Sequence, residues 1–94
     1  MTLGGLKPEV HAANDEIRQV VAKVADELKS KLNTTEVEPV SYKTQLVAGT
    51  NYFIKVKTPA GFAHARVYKD LQQNHSVHSV KADGITEESE IVYF

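Results

Sequence analysis

Val40-Ser41-Tyr42-Lys43-Thr44-Gln45-Leu46-Val47-Ala48-Gly49-Thr50-Asn51-Tyr52-Phe53-Ile54-Lys55-Val56-Lys57 is the stretch on which the fold turns. Its first half alternates: Val40, Tyr42, Thr44 and Leu46 share one parity, and Ser41, Lys43 and Gln45 share the other. Its second half alternates again, with Tyr52, Ile54 and Val56 set against Phe53, Lys55 and Lys57. A period of two on both sides of a small-residue break predicts two half-buried strands joined as a hairpin. The break is Ala48-Gly49, and Thr50-Asn51 is expected to complete the turn. Leu46, Val47 and Ala48 make the approach to that turn apolar, where solvated residues are the norm. An exposed apolar tip of this kind is a docking surface or an aggregation hazard.

Working outward, Pro39 separates this hairpin from an upstream helix. Ile17, Val20, Val21, Val24, Leu28 and Leu32 fall on one face at about 100° per residue, which predicts a single long amphipathic helix. Asn14 is its expected N-cap, Asp15 and Glu16 suit its first turn, and Asn33-Thr34-Thr35 ends it. Three valines lower its intrinsic propensity, so packing must hold it. Residues 1–13, with Gly4, Gly5 and Pro8 and no apolar period, are expected to be loose or extended, and residues 1–10 to be a flexible arm. Downstream, Thr58 to Gly61 reads as a turn, and Phe62 to Leu71 alternates once more. Leu71 to His75 is a polar break. His75 to Ala82 is a weaker strand, because Val77 and Val80 differ in parity. Ile91-Val92-Tyr93-Phe94 is apolar enough to tuck against the fold. The expectation is one α+β domain over 1–94, with one long helix packed across a four- to five-stranded antiparallel sheet.

The totals exclude several functions. Ninety-four residues suffice for one domain with one core. Eleven basic against twelve acidic residues give a net charge of −1 without a basic stripe, arguing against nucleic acid or a membrane surface as partner. The absence of cysteine removes disulfides, thiolate chemistry and cysteine-ligated zinc together. His75 and His78 have metal-pair spacing only on a helix, and they fall in a loop and strand, so no metal is expected. No nucleophile motif is present, and the chain does not read as an enzyme. The first residues contain no apolar run of secretory length, so a reduced, cytoplasmic home is expected.

Gln45-Leu46-Val47-Ala48-Gly49 resembles the Gln-Xaa-Val-Xaa-Gly motif of the cystatins, reversible inhibitors of papain-like cysteine (thiol) proteases. The likeness extends through Val56 in the form typical of type 1 members, the stefins. Gly4-Gly5, His64-Ala65-Arg66-Val67-Tyr68 and the closing Tyr93-Phe94 fit as well, so it spans nearly the whole chain. With neither cysteine nor tryptophan, the chain is less similar to the secreted type 2 members. It departs from the stefin pattern at Leu71-Gln72, where Leu-Pro is usual, and the region after Leu71 is about two residues short.

The resemblance implies a cystatin-like fold and a wedge of three parts that plugs a cathepsin-type cleft, without cofactor. Leu3, Gly4 and Gly5 would supply the arm, with Leu3 in an apolar S2-type pocket. Gln45, Leu46, Val47, Ala48 and Gly49 would supply the first tip, and Leu71, Gln72, Gln73 and Asn74 the second. Gln45 would bond either across the hairpin or to the enzyme. The rival reading is a non-inhibitory or engineered binding module that presents the same loops to another protein. The active species would be a monomer. Val47, β-branched in a tight turn, would be strained, and relief of that strain would favour a domain-swapped, inactive dimer.

Overall fold

The computed structural model describes residues 9–94. Asn14 caps the first helix as its side chain suggests: Oδ1 accepts the Ile17 amide at 3.0 Å, while Nδ2 donates to the Tyr42 hydroxyl at 3.0 Å. One side chain thus both starts the helix and pins its end to the sheet.

The single long helix expected from the periodicity is divided. Helix α1 (Asp15–Lys23) and helix α2 (Ala25–Leu32) meet at Val24, which leaves helical geometry at φ −119°. The Val24 amide reaches only back to the Val21 carbonyl, a tight i→i−3 bond, and the ladder restarts with the Leu28 amide on the Val24 carbonyl. Val20, Val21 and Val24 crowd χ1 at this point, which makes it the weakest place in the rod. The predicted apolar face survives the break: Ile17, Val20, Val21, Val24 and Leu28 are all buried, and Leu32 packs against the core. Asn33 ends α2 in the left-handed region at φ 53°, with the Thr34 amide on the Lys29 carbonyl.

The helices lie across five antiparallel strands in sequence order: β1 (His11–Ala12), β2 (Glu38–Val47), β3 (Gly49–Thr58), β4 (Gly61–Lys69) and β5 (His75–Lys81). Three sequence expectations are narrowed or changed. Of the loose or extended states expected for residues 1–13, His11 and Ala12 take the extended one and are fixed in the sheet, paired with Tyr42 and Ser41. Pro39 does not precede β2 but lies inside it, beside an irregularity in the β2–β3 register. Thr50 and Asn51 are not in the turn, since Val47 already pairs with Gly49 and Ala48 alone makes the reversal.

The parity conflict in β5 also has a cause. Arg66 pairs with Ser79 and Val67 with Val77, which leaves His78 as the extra residue of a bulge. That extra residue restores both Val77 and Val80 to the face of Ala65 and Val67.

The helix-side core comprises Tyr42, Tyr52, Ile54, Val56, Ala63, Ala65, Val67 and Val77 beneath the helical apolar face. The Tyr52 hydroxyl crosses to the Glu16 carboxylate at 2.9 Å, and burial together with that carboxylate pushes its pKa up. β3 is not half-buried but covered on both sides. Its outward residue Phe53 is fully shielded because the C-terminal segment folds back over it, with Phe94 and Tyr93 ring centroids at 5.8 and 5.6 Å. Ile91, in the same C-terminal segment, is buried. No described helix is long and apolar enough to cross a membrane.

Candidate functional site

At one end of the sheet the β2–β3 and β4–β5 connections lie side by side. The register that pairs Thr50 with Lys69 places Gly49 against the last turn of β4. Gly49 adopts φ +113°, where only glycine is at ease. A Cβ there would overlap the Lys69 carbonyl oxygen and lie 2.9 Å from the Tyr68 hydroxyl and 3.1 Å from the Asp70 Cα. The Tyr68 hydroxyl donates to the Ala48 carbonyl, tying the first tip to the strand next door. Below the tip, Asn51 Nδ2 donates to Gln45 Oε1 at 2.9 Å, and both side chains are buried. Gln45 therefore bonds across the hairpin, one of the two roles open to it.

Val47 does not carry the strain expected of it. It is the last residue of β2, and the positive φ falls on Gly49 instead. With the geometry absorbed by glycine, Leu46 and Val47 project into solvent at 54% and 40% exposure.

The second connection, residues 70–74, is organised by Asp70. Its Oδ1 accepts the amides of Gln72 at 2.8 Å and Asn74 at 2.9 Å, and its own amide donates to the Asn74 carbonyl. The Asn74 amide, with that of Gln72, holds the Asp70 carboxyl below its ordinary pKa. Gln73 takes φ 70° to close the loop. Leu71 stands out at 76% exposure, and Gln72, Gln73 and Asn74 are exposed around it. The structure thus brings together Gln45 to Gly49 and Leu71 to Asn74. Leu3, Gly4 and Gly5 lie outside the described residues. β1 runs antiparallel to β2, so Glu9 and Val10 precede it on the side of the tips.

A small cleft of about 110 Å³ adjoins the second tip, lined by Glu16, Gln19, Val20, Lys23, Tyr52, Lys69, Gln73 and His75. Burial, with Lys23 and Lys69 nearby, holds the His75 pKa below its ordinary value. A cavity of about 450 Å³ lies where β3 ends at Thr58 and shares no residue with the tips. Among the described residues no three His, Cys, Asp or Glu side chains gather as metal ligands do. The chemistry available at the tip end is apolar insertion and hydrogen bonding.

Sequence reasoning missed Tyr68 and Asp70 as members of this end. Asp70 carried a signal, since an Asp opening a short polar loop favours side-chain caps on the following amides. Tyr68 carried none, because its partner lies 20 positions away.

A family model described as "Cystatin domain" matches residues 4–86. Cystatin-A2 of Dictyostelium discoideum is 44% identical over 94 residues, covering 98% of this chain and 97% of its own. Stefin-1 of Mus musculus is 37% identical over 99 residues and covers both chains fully. Leukocyte cysteine proteinase inhibitor 1 of Sus scrofa is 40% identical over 74 residues, covering 76% of this chain and 71% of its own.

Proposed function

Because the chain belongs to the type 1 cystatins, the stefins, we propose that it is a reversible, tight-binding inhibitor of papain-like cysteine proteases of the cathepsin type. Proteins of this family inhibit proteases and are not enzymes, and this chain is no enzyme. The observation that carries the reading is the pairing of two apolar tips, Leu46-Val47 and Leu71, at one end of a stiff sheet. A protease cleft is a preformed groove, and apolar tips that need little reorganisation displace its water at low ordering cost. Val47 and Ala48, seated by Gly49, enter the groove, and Leu71 with Gln72, Gln73 and Asn74 makes the second contact. Leu3 fills the S2-type pocket, Gly4 lets the arm pass the catalytic thiol and turn away, and Gly5 continues the contact. No bond is made or broken.

Titration of active papain tests this reading. Activity is expected to fall in proportion to added protein until equivalence, and full activity in large molar excess would end the proposal. A chain lacking residues 1–5 is expected to inhibit more weakly, chiefly through faster dissociation, because the arm adds contacts late and must be ordered to do so. Equal inhibition by the truncated chain would remove the arm from the wedge.

The working compartment is the cytoplasm and the working species the monomer. Straightening the β2–β3 turn would let two chains exchange their helices and first strands, and such a domain-swapped dimer consumes the first tip and is inactive. A heated sample that still elutes solely as monomer on gel filtration would count against this exchange.

A further inference from the structure

On the sheet face opposite the helices, His64 is only 1% exposed and its Nε2 has no hydrogen-bond partner among the described residues. It lies under the C-terminal segment, its ring 6.5 Å from that of Phe94 and inclined by 29°. Nothing in the tip-end wedge uses it. A buried imidazole without an acceptor is stable only when neutral.

Cations on the neighbouring strands oppose a positive charge on it. β3 contributes Lys55 and β5 contributes Lys81, both directly across from it in the ladder. Its own strand adds Arg66, whose guanidinium lies 5.3 Å from the Phe53 ring and 4.9 Å from the Tyr93 ring. The C-terminal segment answers with two main-chain oxygens and with rings: Lys55 Nζ donates to the Glu87 carbonyl and Arg66 Nη1 to the Phe94 main-chain oxygen at 2.9 Å. Glu87, Glu88 and Glu90 are exposed, and among the described residues no Asp or Glu carboxylate pairs with these cations.

The hold on this segment is correspondingly narrow. Residues 82–94 contain no helix or strand and contribute no ladder to the sheet. They are kept in place by Ile91, by the Tyr93 and Phe94 rings on Phe53 and Arg66, and by the two contacts to main-chain oxygens.

We propose that the C-terminal segment is an acid-released strap, closed over β3 and β4 while His64 is neutral and lifted when His64 takes a proton from solvent. Burial, followed by Lys55 and Lys81, holds the closed-state His64 pKa below its ordinary value. The opened ring, in water, titrates near the usual value of about 6.5. The open form binds more protons between the two values, so opening becomes easier as pH falls through that window and levels off beneath it.

The test follows the His64 ring resonance by NMR together with amide exchange of residues 91–94, corrected for intrinsic rate, at pH 7 and pH 5. Exchange there is expected to quicken by roughly 3- to 25-fold, the upper figure being the limit for a closed ring that never protonates in this range. Amides of Ile54 and Val67 should not follow. His64→Gln should flatten the response while keeping papain inhibition at pH 7, and His75→Gln should leave it intact. Phe94→Ala, which removes the ring lying over His64 and leaves the imidazole itself in place, should return His64 to titration near pH 6.5. A ring that already titrates there in the unaltered protein, or a pH response that survives His64→Gln, overturns the proposal. Should His64→Gln not fold, the ring titration and Phe94→Ala decide the matter alone.

Discussion

Gly49→Ala is expected to weaken papain inhibition by about 30- to 1,000-fold. A non-glycine residue at φ +113° is strained by about 1–3 kcal/mol, and the added Cβ also overlaps the Lys69 carbonyl oxygen. That oxygen belongs to the ladder that pairs Thr50 with Lys69, so it cannot yield without moving β4. The first tip must yield instead, breaking the Tyr68 to Ala48 bond and shifting Val47 with it. A combined cost of about 2–4 kcal/mol corresponds to that loss of affinity at 1.4 kcal/mol per tenfold. Inhibition constants with urea midpoints on the same samples check it. Near-unchanged inhibition would mean that the exposed residues act without help from the geometry beneath them.

Phe53→Ala is expected to lower the unfolding free energy by about 3–5 kcal/mol, a large share of the 5–15 kcal/mol typical of a domain. Phe53 is wholly buried, yet it faces away from the helices. Its neighbours are Tyr93, Phe94 and the Arg66 guanidinium, so truncation empties the centre of the outer layer. Urea unfolding measures this directly. A loss below about 1 kcal/mol would show that the outer layer collapses onto the gap or adds little to stability.

How far each feature could be read from the chain depended on the range of its cause. The helical face from Ile17 to Leu32, the Asn14 cap and the Asn33 stop are set within a few residues, and they were legible. The break at Val24 was not, because propensity locates a weak place without saying whether it gives way. The two parities of β3 were legible as alternation, but alternation presents Phe53 as a solvent-side residue. Its burial comes from Tyr93 and Phe94, some 40 positions downstream. The strand over His75–Lys81 was legible only weakly, because one bulged residue, His78, inverts the parity on which the reading relied. At the tip end, the apolar Leu46-Val47 pair was visible at once. The fit of Gly49 against β4 and the Tyr68 anchor were not, because both need the third strand in place.

Among the described residues each strand in this sheet bonds only to its neighbours in sequence, and the end rung of the β3–β4 ladder, Thr50 with Lys69, lies at the bases of the two tips. The distance between those bases is therefore a property of the ladder and not of the loop sequences. Residues inserted within 70–74 would lengthen the second tooth of the comb while leaving its spine and the first tooth where they stand. Reach and composition at one position can then be diversified separately from the other, which is what grafting a new specificity onto the scaffold requires.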